Sequence, residues 1–104
     1  MNREIYRYDF DSEVPIRDVE DSLLLAVLAA ESLHGRALVR LDASFQLDPK
    51  KRSCVVDAAT EVGRAIARIF TGFLTREFGE DAFKVAREGF APAAGPELQA
   101  TGAA

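Results

Sequence analysis

Val19 to His34 (VEDSLLLAVLAAESLH) restricts what this chain can fold into more than any other stretch. The run is much longer than an ordinary strand of about 5–6 residues, and its apolar residues recur at helical spacing. Its ends are marked as well. Pro15 stands just upstream, where a fixed φ is tolerated and a missing N–H costs little. Asp18, Glu20 and Asp21 fall in the first turns, where negative charge suits the positive end of the helix dipole. Gly35 follows His34 and suits the left-handed residue that closes a helix. Together these features predict a helix over residues 17–33.

At about 100° per residue, Val19, Leu23, Val27 and Ala30 form one stripe of this helix. Glu20, Leu24, Leu28 and Glu31 form the next, and Leu25 lies further round. The apolar arc is wider than the ~100° stripe expected of a helix with one side in water. After one small core is covered, Leu24, Leu25 and Leu28 are left over.

The flanking segments change period. Glu4 to Phe10 alternates, with Tyr6, Tyr8 and Phe10 on one face and Ile5, Arg7 and Asp9 on the other, which predicts a half-buried first strand. Ala37 to Asp48 alternates too and predicts a second strand. Val39, Leu41, Ala43, Phe45 and Leu47 face inward there, and Arg40, Asp42, Ser44 and Gln46 outward. Asp48-Pro49-Lys50-Lys51 has turn composition. Arg52 to Ala58 returns as a third strand, with Cys54, Val56 and Ala58 inward and Ser53, Val55 and Asp57 outward. A four-residue loop sets Phe45 opposite Cys54 and Asp42 opposite Asp57, although parity also admits shifts of two residues. Thr60 is a good N-cap for a second helix reaching about Phe78. Val62, Ile66, Ile69, Phe70, Phe73 and Leu74 form its single apolar face. Gly79 ends it, and Asp81 to Arg87 reads as a last strand with Phe83 and Val85 inward and Lys84 outward. Residues 91–104 (APAAGPELQATGAA) hold too little apolar surface to offset their ordering, so a flexible tail is expected after a single domain over 1–90.

The element order, β-α-β-β-α-β, resembles the split βαβ or ferredoxin-like pattern. It implies an α+β two-layer sandwich: a four-stranded antiparallel sheet of order 4-1-3-2 with both helices on one face. That fold hosts many unrelated functions and implies no activity by itself.

Reactive residues are sparse. The chain has one His and one Cys, His34 and Cys54. A nucleophilic pair needs them within hydrogen-bond reach, yet some ten residues of strand at about 3.3 Å each separate their expected positions. They read as a helix C-terminal His on the dipole and a small buried Cys. One Cys also excludes an intrachain disulfide. Asp9, Asp11 and Glu13 lack the glycine and bidentate Glu of a calcium loop, and neither metal nor cofactor is expected. No glycine-rich phosphate loop is present. Gly63 and Gly72 lie inside the second helix, each costing about 1 kcal/mol against Ala, and mark either close packing or tolerated surface positions. Basic residues at Lys50, Lys51 and Arg52 and along Arg64, Arg68 and Arg76 accompany strand aromatics, as in an RNA-recognition sheet. Tyr6, Tyr8 and Phe10 share the face expected to be buried, however, so these read as core aromatics and solvated charges. Asp42 and Asp57 become neighbours on the open sheet face, with Arg40 and Lys84 on the same side.

The net charge of −4 argues against a general nucleic-acid binder. The N-terminal MNREIYRYDF lacks the apolar core of a signal peptide, and Leu23 to Ala30 is too short to span a bilayer. The expectation is a cytoplasmic protein without nucleic-acid or membrane partners. Its function is expected to be that of a small self-associating interaction domain without catalytic activity. Leu24, Leu25 and Leu28 would form the interface of a homodimer, the commonest closed assembly, leaving the polar sheet face or the tail open to another protein. The alternative is a small-molecule or anion-binding regulatory domain using Arg40, Asp42, Asp57 and Lys84 on the open sheet face. No nucleophile, base and orienter can be read together, so no catalytic residue is assigned.

Overall fold

A computed structural model describes residues 3–90; the expected tail over 91–104 lies outside the described residues. The chain runs through β1 (Arg3–Phe10), α1 (Ile16–His34), α2 (Arg36–Asp42), β2 (Phe45–Asp48), β3 (Ser53–Asp57), α3 (Glu61–Phe78), a 3-10 turn (Glu80–Ala82) and β4 (Phe83–Phe90). The four strands form one antiparallel sheet of order β2-β3-β1-β4, which is the expected 4-1-3-2 order read from the opposite edge.

The register explains where the core sits. Tyr8 stands opposite Cys54 on one side and Val85 on the other, Phe10 faces Phe83, and Leu47 faces Cys54. Side chains alternate along a strand, so these cross-strand partners share one face of the sheet. On that face Tyr8, Cys54 and Val56 are fully buried against Val19, Leu23, Ala26 and Ala30 of α1 and Val62, Ile66, Phe70 and Leu74 of α3. The ring of Tyr8 meets Phe70 edge-on at 4.9 Å between centroids, a preferred aromatic geometry. Its hydroxyl lies 2.8 Å from Thr71 Oγ1, and Thr71 donates in turn to the Ala67 carbonyl at 2.7 Å. A phenol this buried must have a partner, and α3 supplies it. Burial pushes the Tyr8 hydroxyl up to about 12, with the Thr71 hydrogen bond opposing part of the rise.

The first half of the expected second strand is a helix instead. Arg36–Asp42 forms α2, and only Phe45–Asp48 pairs with β3. Val39 and Ala43 fit both readings, because positions two apart along a strand and four apart along a helix can each lie on one face. Leu41 separates them: expected inward, it is 81% exposed, while Val39 is 3% exposed. Arg, Ala and Leu all favour helix, and one buried Val39 anchors the short turn. With the strand shortened, the register also shifts by two. Phe45 faces Val56 and not Cys54, and Asp42 no longer stands opposite Asp57. Phe45, expected inward, is left 38% exposed at the sheet edge. The last strand begins at Phe83, two residues later than expected, because Glu80–Ala82 first makes a 3-10 turn.

The connections are fixed by specific contacts. Val14 and Val19, on either side of the Pro15 cap, are both buried, the arrangement of a hydrophobic staple. In the hairpin between β2 and β3, the Asp48 carboxylate accepts from the N–H groups of Lys50 (3.1 Å) and Lys51 (3.2 Å). Arg52 closes that turn at φ 53°, and its guanidinium donates to the carbonyls of Asp11 and Val14, tying the hairpin to the start of α1. Thr60 caps α3 by accepting from Gly63 N–H at 3.0 Å. A Cβ at Gly63 would lie 1.9 Å from the Asp57 carbonyl oxygen, so the first turn of α3 rests directly on the end of β3. Gly72 meets nothing within 4 Å. Of the two glycines, only Gly63 marks close packing.

Candidate functional site

The buried residues of α1 (Val19, Ser22, Leu23, Ala26 and Ala30) cluster on one side of the helix. At about 100° per residue, Leu28 lies roughly opposite their centre, with Leu24 and Leu25 flanking it. Leu24 is 51%, Leu25 56% and Leu28 57% exposed. These leucines therefore lie on the side of α1 that a surface helix ordinarily gives to polar residues. α3, with its polar residues on the outside, follows the ordinary pattern. Leu33 at the end of α1 and Leu38 and Leu41 on α2 are exposed as well. The sequence concealed Leu38 and Leu41 because that segment read as a strand.

The four residues expected to share a ligand site are not brought together. Arg40 and Asp42 lie on α2, not on the open sheet face. Asp57 pairs with Ile5 at one end of the sheet, and Ile5 pairs with Glu88 on its other side. Lys84 stands four residues from Glu88, in the row of Asp9 and Ser53. That separates Lys84 from Asp57 by about 13 Å along the strand direction alone. The Asp57 carboxylate accepts from Ala59 N–H at 2.8 Å and shapes the turn into α3. On β1, Arg7 makes a 3.5 Å ion pair with Asp9, and both side chains are exposed. An exposed pair of this kind contributes little.

Cys54 is fully buried between Tyr8 and Leu47, and burial pushes its thiol up to about 12. It is held protonated and away from solvent, so it is inert as a nucleophile in the folded chain. His34 lies elsewhere, in a shallow groove with Leu33, Glu61, Arg64 and Arg68. Among the described residues, no three His, Cys, Asp or Glu side chains gather into a metal-binding group. Nor is any described helix long and apolar enough to cross a membrane.

No protein-family model and no curated protein sequence matches this chain.

Proposed function

We propose that this protein is a self-associating, non-enzymatic interaction domain that forms a two-fold dimer through the outer face of α1. The supporting observation is that Leu24, Leu25 and Leu28 are each more than half exposed on the side of α1 turned away from the core. Charge placement favours a second copy as the occupant. The first turns of α1 carry Asp18, Glu20 and Asp21 against one Arg17, while beyond Glu31 in its last turn α2 carries Arg36 and Arg40 against one Asp42. A two-fold axis near the Leu24–Leu28 turn runs the two helices antiparallel, so the net acidic start of each lies towards the net basic α2 of the other. Like surfaces meeting in this way are the signature of an isologous interface. We read the architecture as a ferredoxin-like sandwich in which α2 takes the place of the first half of strand two, and the setting as cytoplasmic.

The energetics place such a dimer at the weak, reversible end. Six half-exposed leucines removed from water contribute roughly 5–9 kcal/mol. That is comparable with the roughly 4–15 kcal/mol lost in translational and rotational freedom. Light scattering on the wild type and on the Leu24→Glu and Leu28→Glu variants tests the reading. The wild type should show the dimer mass at high micromolar concentration, and each variant the monomer mass with an unchanged circular dichroism spectrum. A wild type that stays monomeric at high micromolar concentration would overturn the proposal.

A further inference from the structure

A cleft of about 370 Å³ opens between α3 and the β1–β4 edge of the sheet. Its size falls within the range of about 300–1,000 Å³ usual for small-molecule sites. Tyr6 and Val85 line it from the sheet, with the buried ring of Tyr8 at its base, and Ala67 and Thr71 line it from α3. Arg64 and Arg68, one turn apart on α3, complete the lining. Val85 is on the core-facing side of the sheet, yet it is 41% exposed. Expected as a core residue, it instead gives the cleft an apolar floor.

The polar groups here divide into satisfied and open ones. Tyr8 and Thr71 hydrogen-bond to each other, and Thr71 donates to the Ala67 carbonyl, so neither calls for a ligand. Among the described residues, the Arg64 guanidinium donates only to the Ala58 carbonyl, at 3.3 Å. The Arg68 side chain makes no hydrogen bond or ion pair among the described residues. Like charges at this helical spacing repel, and no carboxylate among the described residues pairs with either guanidinium. Glu61 lines the groove on the far side of the two arginines without forming an ion pair to them. Glu4, the acid nearest along β1, is taken by Arg87, the cross-strand neighbour of Tyr6. The cleft therefore combines an apolar, partly aromatic floor with planar donors that no described carboxylate neutralises.

We propose that this cleft binds a small organic anion, a carboxylate or phosphate ester with a flat apolar body. The anionic group sits between Arg64 and Arg68, whose forked donors match such oxygens in geometry and charge. The apolar body lies over Tyr6 and Val85. This site is separate from the outer face of α1 and does not depend on dimerisation.

The test is an amide NMR titration of the full chain with phenyl phosphate, benzoate, inorganic phosphate and benzyl alcohol. Phenyl phosphate or benzoate should shift the amides of Tyr6, Ala67, Thr71 and Val85 saturably with a dissociation constant below about 1 mM, and the tighter of the two identifies the preferred anionic group. Inorganic phosphate and benzyl alcohol, each lacking one half of the recognition, should bind at least about 10-fold more weakly. The Arg64→Gln, Arg68→Gln double variant should lose at least about 10-fold in affinity with the native amide spectrum retained away from the cleft. Val85→Glu, which places a like charge on the floor, should abolish binding without touching either arginine. The proposal fails if neither aryl anion gives saturable shifts up to about 10 mM. It also fails if the shifts map elsewhere, if benzyl alcohol binds as well as phenyl phosphate, or if the double variant binds as the wild type does.

Discussion

Replacing Gly63 by Ala should destabilise the chain, whereas the same replacement at Gly72 in the same helix should stabilise it. Neither glycine has a positive φ, so the difference is one of space. A Cβ on Gly63 would lie 1.9 Å from the Asp57 carbonyl oxygen, 3.0 Å from its carbon and 3.2 Å from Ala58 Cα. All three neighbours are backbone, so no side chain can swing aside. Reaching ordinary contact requires α3 and the end of β3 to part by about 1.5 Å, and overpacking of this kind costs roughly 1–3 kcal/mol. The helix-propensity gain of up to about 1 kcal/mol offsets only part of that. At Gly72 nothing lies within 4 Å. There the full gain of about 0.5–1 kcal/mol remains. For a domain of this size, each kcal/mol moves the melting temperature by about 4–8 °C. Urea unfolding followed by circular dichroism, with slopes compared so that midpoints report stability, measures both variants. Gly63→Ala at or above wild-type stability would refute the close packing of α3 on β3.

Two further perturbations probe the frame. Arg52→Ala removes the guanidinium donors to Asp11 and Val14 and should cost about 2 kcal/mol. Arg52→Gly loses the same bonds but relieves the left-handed backbone, recovering about 1 kcal/mol, so urea midpoints should run wild type, Gly, Ala in falling order. A Gly variant no better than the Ala variant would remove the backbone part of this explanation. Alkaline pH should weaken the fold through Tyr8 and Cys54, whose ordinary values of 10.0 and 9.0 burial raises to about 12. Below pH 9 both groups keep their protons in both states. Above it the unfolded chain ionises first and binds fewer protons, so stability falls progressively until the folded-state values near 12 are passed. Urea midpoints across this window should decline less in a Tyr8→Phe, Cys54→Ala variant; an equal decline would assign the effect to other groups.

Much of the fold was legible because period and punctuation agreed. β1 alternated cleanly, both long helices carried stops at Gly35 and Gly79, and Thr60 caps α3 as its side chain implied. α2 was illegible because Val39 and Ala43 satisfy strand and helix periods equally, and only the exposure of Leu41 decides between them. The outward direction of Leu24, Leu25 and Leu28 followed from helical spacing alone, since it depends on one element. The Arg40, Asp42, Asp57 and Lys84 grouping depended on the pairing of β2 with β3, and it dissolved when half of that strand proved helical. The cleft beside α3 depended on how much of β4 the helices cover. Val85 has the parity of a core residue, and no local pattern tells that its position is left open.

The association claim is tested most directly by sedimentation equilibrium of the wild-type chain, loaded from about 1 to about 500 micromolar, a range over which micromolar to sub-millimolar association is visible. A reversible dimer through α1 predicts an apparent mass that climbs from the monomer value of 11.4 kDa towards twice that value across the series. A mass fixed at 11.4 kDa at every loading would contradict it.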